Sequence, residues 1–247
     1  MKNNFYFKEP FSNIYKLPNI RSEVTSQILY GERFKILSKR KGWIKIKSLY
    51  DRYSGFIKDK KYVKELKISH KVSNIQANIF KNPNVKTKKT LYFGSKISLI
   101  EKKNGFVRFE KNQWVKLKDI KKITHKEKDF VKIFKLFLKT KYVWGGKTNK
   151  GIDCSALLQI FFYYNNLFYP RDTKDQIKYS TKKKSKKFKK GDIIFWEGHV
   201  AICINSKQLI HAYGPEKRVI IMPITKTIKR ILDTANLKVR KISRINF

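Results

Sequence analysis

KYVWGGKTNKGIDCSALLQ, residues 141–159, sets two glycines after a tryptophan, then a short polar loop, then Asp-Cys-Ser at the head of an apolar run. The run from Ala156 to Tyr164 reads as a buried helix. Cys154 then sits at or just inside the helix N-terminus. Unpaired N–H groups and the helix dipole there favour a thiolate over a thiol. A thiolate is a nucleophile, so Cys154 reads either as a catalytic residue or as a buried structural cysteine.

Downstream, Leu167-Phe-Tyr-Pro-Arg-Asp-Thr leads into a short helix ending near Tyr179, followed by a basic stretch, TKKKSKKFKK (181–190), expected as a flexible surface loop. Strands follow at 192–196, 198–205, 207–213 and 218–222, then a helix at 224–235 and a last strand through Val239. With a helix expected around Phe130–Leu138, this part is helices first and a mostly antiparallel sheet after, an α+β domain.

A hairpin centred on Asn205 would set His199 opposite His211, with Cβ atoms roughly 4.5–5.5 Å apart. They share a face with Ala201 and Leu209, while Val200, Ile202 and Ile204 fill the other. A base and its orienting partner fit such a pair, and an incidental edge pair is the alternative. Cys203 lies mid-strand with no helix terminus near it and reads as an inert thiol.

Upstream, residues 10–123 contain an internal repeat. NIYKLPNI (13–20) returns as NIFKNPNV (78–85), ILYG (28–31) as LYFG (91–94), and GWIKIK (42–47) as GFVRFE (105–110). The first and second glycines are eleven residues apart in both copies. Alternating segments cut by Gly, Pro and Asn turns predict a small barrel of about five strands per copy. Copy one carries an insertion, SLYDRYSG (48–55). His70 and His125 fall in the two junctions and read as solvated linker residues. The implied domains are 1–68, 69–124 and 125–247.

Bulk properties narrow the class. A 41% hydrophobic, 14% aromatic chain of 247 residues can form real cores. No run approaches the roughly 18 apolar residues of a membrane span. MKNNFYFKEPFSN lacks the apolar region of a secretory signal. Two cysteines make no disulfide framework and fit a reducing compartment, so a cytoplasmic location is expected. Without CxxC or HExxH, neither a metal nor another cofactor is expected. The net charge of +41 invites a nucleic-acid reading. The basic residues are mostly Lys spread among Asn, Ile, Phe and Tyr, so a solvated surface with non-specific anion binding is the reading preferred.

YVWGG…GIDCSALLQ, PRDTKDQ, GDIIFW, HVAICI and LIHAYG, in that order, resemble the NlpC-type papain-like cysteine peptidases of bacterial cell-wall metabolism. The repeat resembles tandem bacterial SH3-like domains. The implied architecture is multidomain: two small all-β SH3-like barrels, then an α+β papain-like catalytic domain. The resemblance implies Cys154 as nucleophile, His199 as base, His211 as its orienter, and Tyr142 in the active site. With SH3-like domains in front, it further resembles the γ-D-glutamyl-L-diamino acid endopeptidases, which act on peptidoglycan stem peptides with a free N-terminal L-Ala. It implies that Asp172 of the Pro-Arg-Asp segment and Ser155, the serine after the cysteine, hold the substrate ammonium, that Arg171 also binds substrate, and that Glu32 and Tyr53 close the pocket. Murein peptide recycling or cell-wall turnover would be the role. Ala156 departs from the family's Gly after Asp-Cys-Ser. The alternatives are a wall- or polyanion-binding protein with an inactive catalytic domain, and an amidase or acyltransferase of the same superfamily.

Overall fold

Alternation of apolar and polar side chains makes the N-terminal half strand after strand, and turn residues keep the strands short. The computed structural model describes residues 4–183 and 187–244. The chain divides into two units, Met1–Glu127 with Tyr163–Asn166, and Lys128–Phe162 with Leu167–Phe247.

In the first unit, β1 (Asn4–Phe7), β2 (Phe11–Tyr15), β3 (Val24–Leu29), β4 (Arg33–Arg40), β5 (Trp43–Ser48), β6 (Ser54–Lys58) and β7 (Tyr62–Val63) form one sheet, ordered β3-β2-β6-β5-β4-β1-β7. In β5, Ile44 and Ile46 are buried while Lys45 and Lys47 face solvent. Phe7, Ile14, Ile28, Phe34 and Ile57 complete that core. The second barrel uses β8 (His70–Val72), β9 (Gln76–Asn82), β10 (Val85–Tyr92), β11 (Lys96–Ile97), β12 (Glu101–Lys103), β13 (Phe106–Glu110), β14 (Gln113–Lys116) and β15 (Ile120–Lys122). They form two sheets, β10-β9-β14-β13-β12 and β11-β8-β15. The sequence repeat is thus a structural one: GWIKIK supplies β5 and GFVRFE supplies β13.

Tyr30 ties the barrels together. It follows β3 of the first barrel yet belongs to the core of the second, edge-on to Phe109 with ring centroids 5.4 Å apart. Its hydroxyl donates to Glu110 at 2.8 Å, and Glu110 is ion-paired with Lys8. Gly31 comes next with φ +76°, and a Cβ there would lie 1.9 Å from the Lys96 carbonyl oxygen. Only glycine fits that turn.

The junction histidines are not solvated linkers. His70 opens β8 and is paired on both sides, with Ile97 and with Lys122. His125 is half-buried, with Nδ1 3.1 Å from the Tyr164 hydroxyl. The first junction is taken into the second barrel because β8 is the middle strand of its small sheet.

The second unit contains α1 (Phe130–Leu136), β16 (Lys147–Thr148), β17 (Gly151–Ile152), α2 (Cys154–Tyr164), α3 (Thr173–Tyr179), β18 (Asp192–Trp196), β19 (His199–Cys203), β20 (Gln208–Tyr213), β21 (Arg218–Pro223), α4 (Ile224–Ala235) and β22 (Lys241–Arg244). Its main sheet runs β21-β20-β19-β18-β22, antiparallel throughout. Every residue of α2 is buried, the polar Ser155 and Gln159 included. Leu157 and Leu158 of α2 meet Val200, Ile202 and Ile210 of the sheet around a small cavity. Helix α4 buries Ile224, Thr227 and Ile231 at helical spacing, and its core includes Ile194, Trp196, Ala201, Cys203 and Leu209. It stops at Asn236 in the left-handed conformation.

Two expectations shift here. The last strand begins at Lys241, because Val239 packs into the α4 core. The basic stretch is tied down where it is described: Lys183 is ion-paired with buried Asp192, and Phe188 packs on the α4 core. Residues 184–186 of that stretch lie outside the described residues. Among the described residues, no helix is long and apolar enough to cross a membrane.

Two glycines of like backbone conformation test the packing at the barrel junction. Gly42 has φ +74° and open space where its Cβ would be, so Gly42→Ala meets only the left-handed penalty, about 1–2 kcal/mol. Gly31→Ala adds a backbone clash and is expected to cost at least about 2 kcal/mol more. Urea denaturation followed by tryptophan fluorescence measures both, and equal losses would contradict the packing described.

Candidate active site

Asp153 organises the site. It precedes α2 at the N-cap, and its Oδ1 accepts from the Ala156 N–H at 2.7 Å. Its Oδ2 accepts from the Gly145 N–H at 3.0 Å, which fixes the Gly-Gly loop. Arg171, 3% exposed, forks onto the same carboxylate, Nη1 to Oδ1 at 3.0 Å and Nη2 to Oδ2 at 2.6 Å. Nη1 also donates to Ser155 Oγ at 2.9 Å, and Ser155 donates to Asp153 Oδ1 at 3.1 Å. Gln176 Nε2 donates to the carbonyls of Ser155 and Pro170, both at 2.9 Å. Arg171 and Ser155 are therefore engaged with each other and with Asp153. The sequence reading passed over Asp153, although an acidic residue just before an apolar helix is an N-cap signal.

Cys154 is 5% exposed. Its thiol donates to the Gly198 carbonyl, with sulfur to oxygen 3.9 Å, while the Val200 N–H and the Thr173 hydroxyl also bond the sulfur. The sulfur thus touches the backbone on both sides of His199. Burial first, and then the neighbouring Asp153 carboxylate, push the thiol up to about 11. Val200, Thr173 and Arg171 pull the other way and do not prevail. The expected thiolate bias of a helix N-terminus is reversed, because desolvation and an adjacent carboxylate both oppose the charged form. Thr173 is a further contact that the sequence did not single out.

The histidines meet by a different register from the one expected. Asn205 Oδ1 accepts from the N–H groups of Lys207 (2.8 Å) and Gln208 (2.7 Å), making an Asx-type turn. The hairpin is centred on Ser206, with Ile202 opposite Ile210 and Cys203 opposite Leu209. His199 and His211 are consequently diagonal neighbours, on the same face as expected. His199 Nε2 lies 2.9 Å from His211 Nδ1. Trp196 and Tyr213 frame His199, with ring centroids at 5.5 and 5.7 Å. His211 stacks on Tyr213 at 4.6 Å, and its Nε2 lies 3.4 Å from Met222 Sδ. Burial holds His199 down to about 4, and burial, then His199 and Arg230, hold His211 well below its ordinary range. The resting site holds a neutral thiol and two neutral imidazoles. Among the described residues, no hydrogen bond joins Cys154 Sγ to the His199 ring.

Tyr142 is half-buried, and its hydroxyl is held protonated by burial and then by Cys154 and Asp153. Asp172 occupies the N-cap position of α3 without capping it. Its half-buried carboxylate takes no hydrogen bond and no ion pair among the described residues, and burial raises its pKa. Glu32 and Tyr53 belong to the other unit. There Glu32 is 4% exposed, and the Tyr53 N–H donates to Asp51 Oδ1 at 3.1 Å. Cys203 is fully buried, and burial pushes its thiol up to about 12. Among the described residues, no group of three or more His, Cys, Asp or Glu side chains could hold a metal ion.

A cysteine at the start of a buried helix, packed against an antiparallel sheet that carries two bonded histidines, is an arrangement suited to thiol chemistry. Residues 139–233 match the NlpC/P60 family, and residues 14–61 match the bacterial dipeptidyl-peptidase SH3 domain. The chain is therefore a cysteine peptidase with an NlpC/P60 catalytic domain behind a bacterial SH3-like region. It is 25% identical to dipeptidyl-peptidase 6 of Lysinibacillus sphaericus, over 81% of this chain and 84% of that one. It is 26% identical to the γ-D-glutamyl-L-lysine dipeptidyl-peptidase of Bacillus subtilis, over 83% and 77%. The crystal structure of an NlpC/P60 family protein from Bacillus cereus shares its fold, with TM-score 0.78, 18% identity, and coverage of 98% and 99%.

Two measurements check this geometry. Asp153→Ala strips a helix cap and removes the carboxylate that compensates the buried Arg171 guanidinium, so a loss of about 3–5 kcal/mol is expected in chemical denaturation. A loss under about 1 kcal/mol would contradict the network. The histidine shifts have a definite sign. His199 ordinarily titrates at 6.5 and in the fold at about 4, so below 6.5 the unfolded chain binds more protons. That contribution to stability is complete above 6.5 and is lost as pH falls toward 4, with His211 acting in the same direction. A falling denaturation midpoint from pH 6.5 to 5 is expected, and a flat one contradicts it.

Proposed function

We propose that this protein hydrolyses the γ-D-glutamyl–diamino acid bond of peptidoglycan stem peptides that carry a free N-terminal L-Ala. The observation that carries the reading is the 2.9 Å contact between His199 and His211 beside the backbone that holds the Cys154 sulfur. The name of the Bacillus subtilis relative, aligned over most of the chain, supports the bond type, and that of dipeptidyl-peptidase 6 supports peptidase activity.

The proposed reaction starts from the neutral pair. The S–H of Cys154 turns from the Gly198 carbonyl to His199, which takes the proton as sulfur attacks the γ-carbonyl of D-Glu. A thiol held near 11 does not ionise in advance, so proton transfer and attack are coupled. The oxyanion is met by the Cys154 N–H and the Tyr142 hydroxyl, both donors in an enclosed site. His199 returns the proton to the leaving amine. Water then hydrolyses the thioester and regenerates the thiol. Arg171 serves by fixing Asp153 and Ser155 rather than by touching substrate.

Asp172 supplies the specificity. A half-buried carboxylate that neither caps its helix nor pairs is suited to an ammonium group. A blocked amino terminus would leave it buried and uncompensated.

The test is release of L-Ala-D-Glu from L-Ala-γ-D-Glu-L-Lys and its diaminopimelate counterpart. Cys154→Ala is expected to abolish it, and retained turnover would overturn the thiol mechanism. Asp172→Asn is expected to raise KM for the free peptide about 10–100-fold. It is also expected to narrow the preference over the N-acetylated peptide. Equal wild-type rates on free and acetylated peptides would remove Asp172 from the account.

A further inference from the structure

His211 uses both ring nitrogens. Nδ1 faces His199 Nε2 at 2.9 Å, and Nε2 faces Met222 Sδ at 3.4 Å. A thioether sulfur has lone pairs and no proton, so it can only accept. A proton must therefore sit on His211 Nε2, since a bare nitrogen there would oppose two lone pairs. A neutral imidazole carries one ring proton, so Nδ1 of His211 is an acceptor. The 2.9 Å contact then needs its proton from His199 Nε2. That uses the only ring proton of neutral His199 and leaves its Nδ1 with a lone pair, the form a general base requires.

Met222 is well placed to impose this order. It lies on β21 opposite Leu209, two pairs along from the Ile220–His211 pair, on the face that carries both histidines. Its side chain packs against the α4 core, which holds the sulfur in place.

We propose that Met222 is a positioning residue, whose sulfur fixes the tautomer of His211 and, through it, presents His199 Nδ1 as the proton acceptor for Cys154. This rests on the thiol mechanism above. When the Cys154 proton reaches His199 Nδ1, His199 becomes an imidazolium that still donates from Nε2 to His211, so no second proton moves.

The experiment compares wild type with Met222→Leu, which keeps the volume and removes the acceptor, and with Met222→Gln, which restores an acceptor oxygen. NMR of the resting full-length protein labelled with 15N-histidine reads the protonation of each ring nitrogen. Wild type is expected to show both His199 and His211 protonated at Nε2 alone. Met222→Leu is expected to populate the opposite tautomer of both rings and to lower kcat about five-fold with KM unchanged. Met222→Gln is expected to recover most of that loss. Protonation of wild-type His211 at Nδ1 would overturn the proposal. So would a Leu variant with wild-type tautomers and kcat, or a Gln variant as impaired as Leu. The tautomer pattern is read without turnover, so it stands or falls separately from the activity of Cys154→Ala.

Discussion

The buried ion pair between Asp153 and Arg171 is the constraint on which the site depends. Burying two charges is costly, and mutual attraction offsets this only when geometry is good and other polar groups are satisfied. Both conditions hold. The guanidinium forks onto the carboxylate at 3.0 and 2.6 Å, and the same carboxylate also takes the N–H groups of Gly145 and Ala156 and the hydroxyl of Ser155. One side chain thereby aligns the Gly-Gly loop, the start of α2 and the segment that precedes α3. Cys154 is the next residue, so its position is set by that pair.

The same carboxylate has a chemical consequence. It stands beside the thiol and, after burial, is the chief cause of the thiol's high pKa. The arrangement that fixes the nucleophile therefore keeps it protonated at rest. Burial acts on the histidines in the complementary sense and keeps both neutral. In the proposed mechanism, a neutral thiol and a neutral imidazole separate charge only as substrate arrives, when water is excluded and oxyanion donors are filled.

Much of this was legible in the sequence, for reasons that particular residues make plain. The largely apolar run from Ala156 to Tyr164 reads as a buried helix, and it forms as α2. The alternation in GWIKIK and GFVRFE fixes two like barrels, since period two admits only a half-buried strand. His199 and His211 have the same parity on neighbouring strands, so they share a face even though the register moved by two residues. That shift depended on the side chain of Asn205 capturing the turn, a local hydrogen bond that spacing does not reveal. The thiol pKa was misjudged because the helix dipole is visible in sequence and desolvation is not. Asp153, Thr173 and Met222 went unnoticed because their partners are distant in sequence: Arg171 meets Asp153 across 18 residues, and Met222 meets His211 from a different strand. The last strand was expected to run through Val239, while tertiary packing uses that residue against α4.

The barrels follow a different rule from the catalytic unit. Their order comes from strand periodicity and from one shared residue, Tyr30, whose hydroxyl is held by Glu110. The catalytic unit instead relies on buried polar contacts with little freedom to vary. In the proposed mechanism Cys154 carries the acyl group, and intact-mass spectrometry of protein quenched in acid during turnover of L-Ala-γ-D-Glu-L-Lys tests this directly. An L-Ala-γ-D-glutamyl adduct that maps to the peptide containing Cys154 is the predicted result. Turnover with no covalent adduct, or an adduct on Cys203 or another residue, would contradict it.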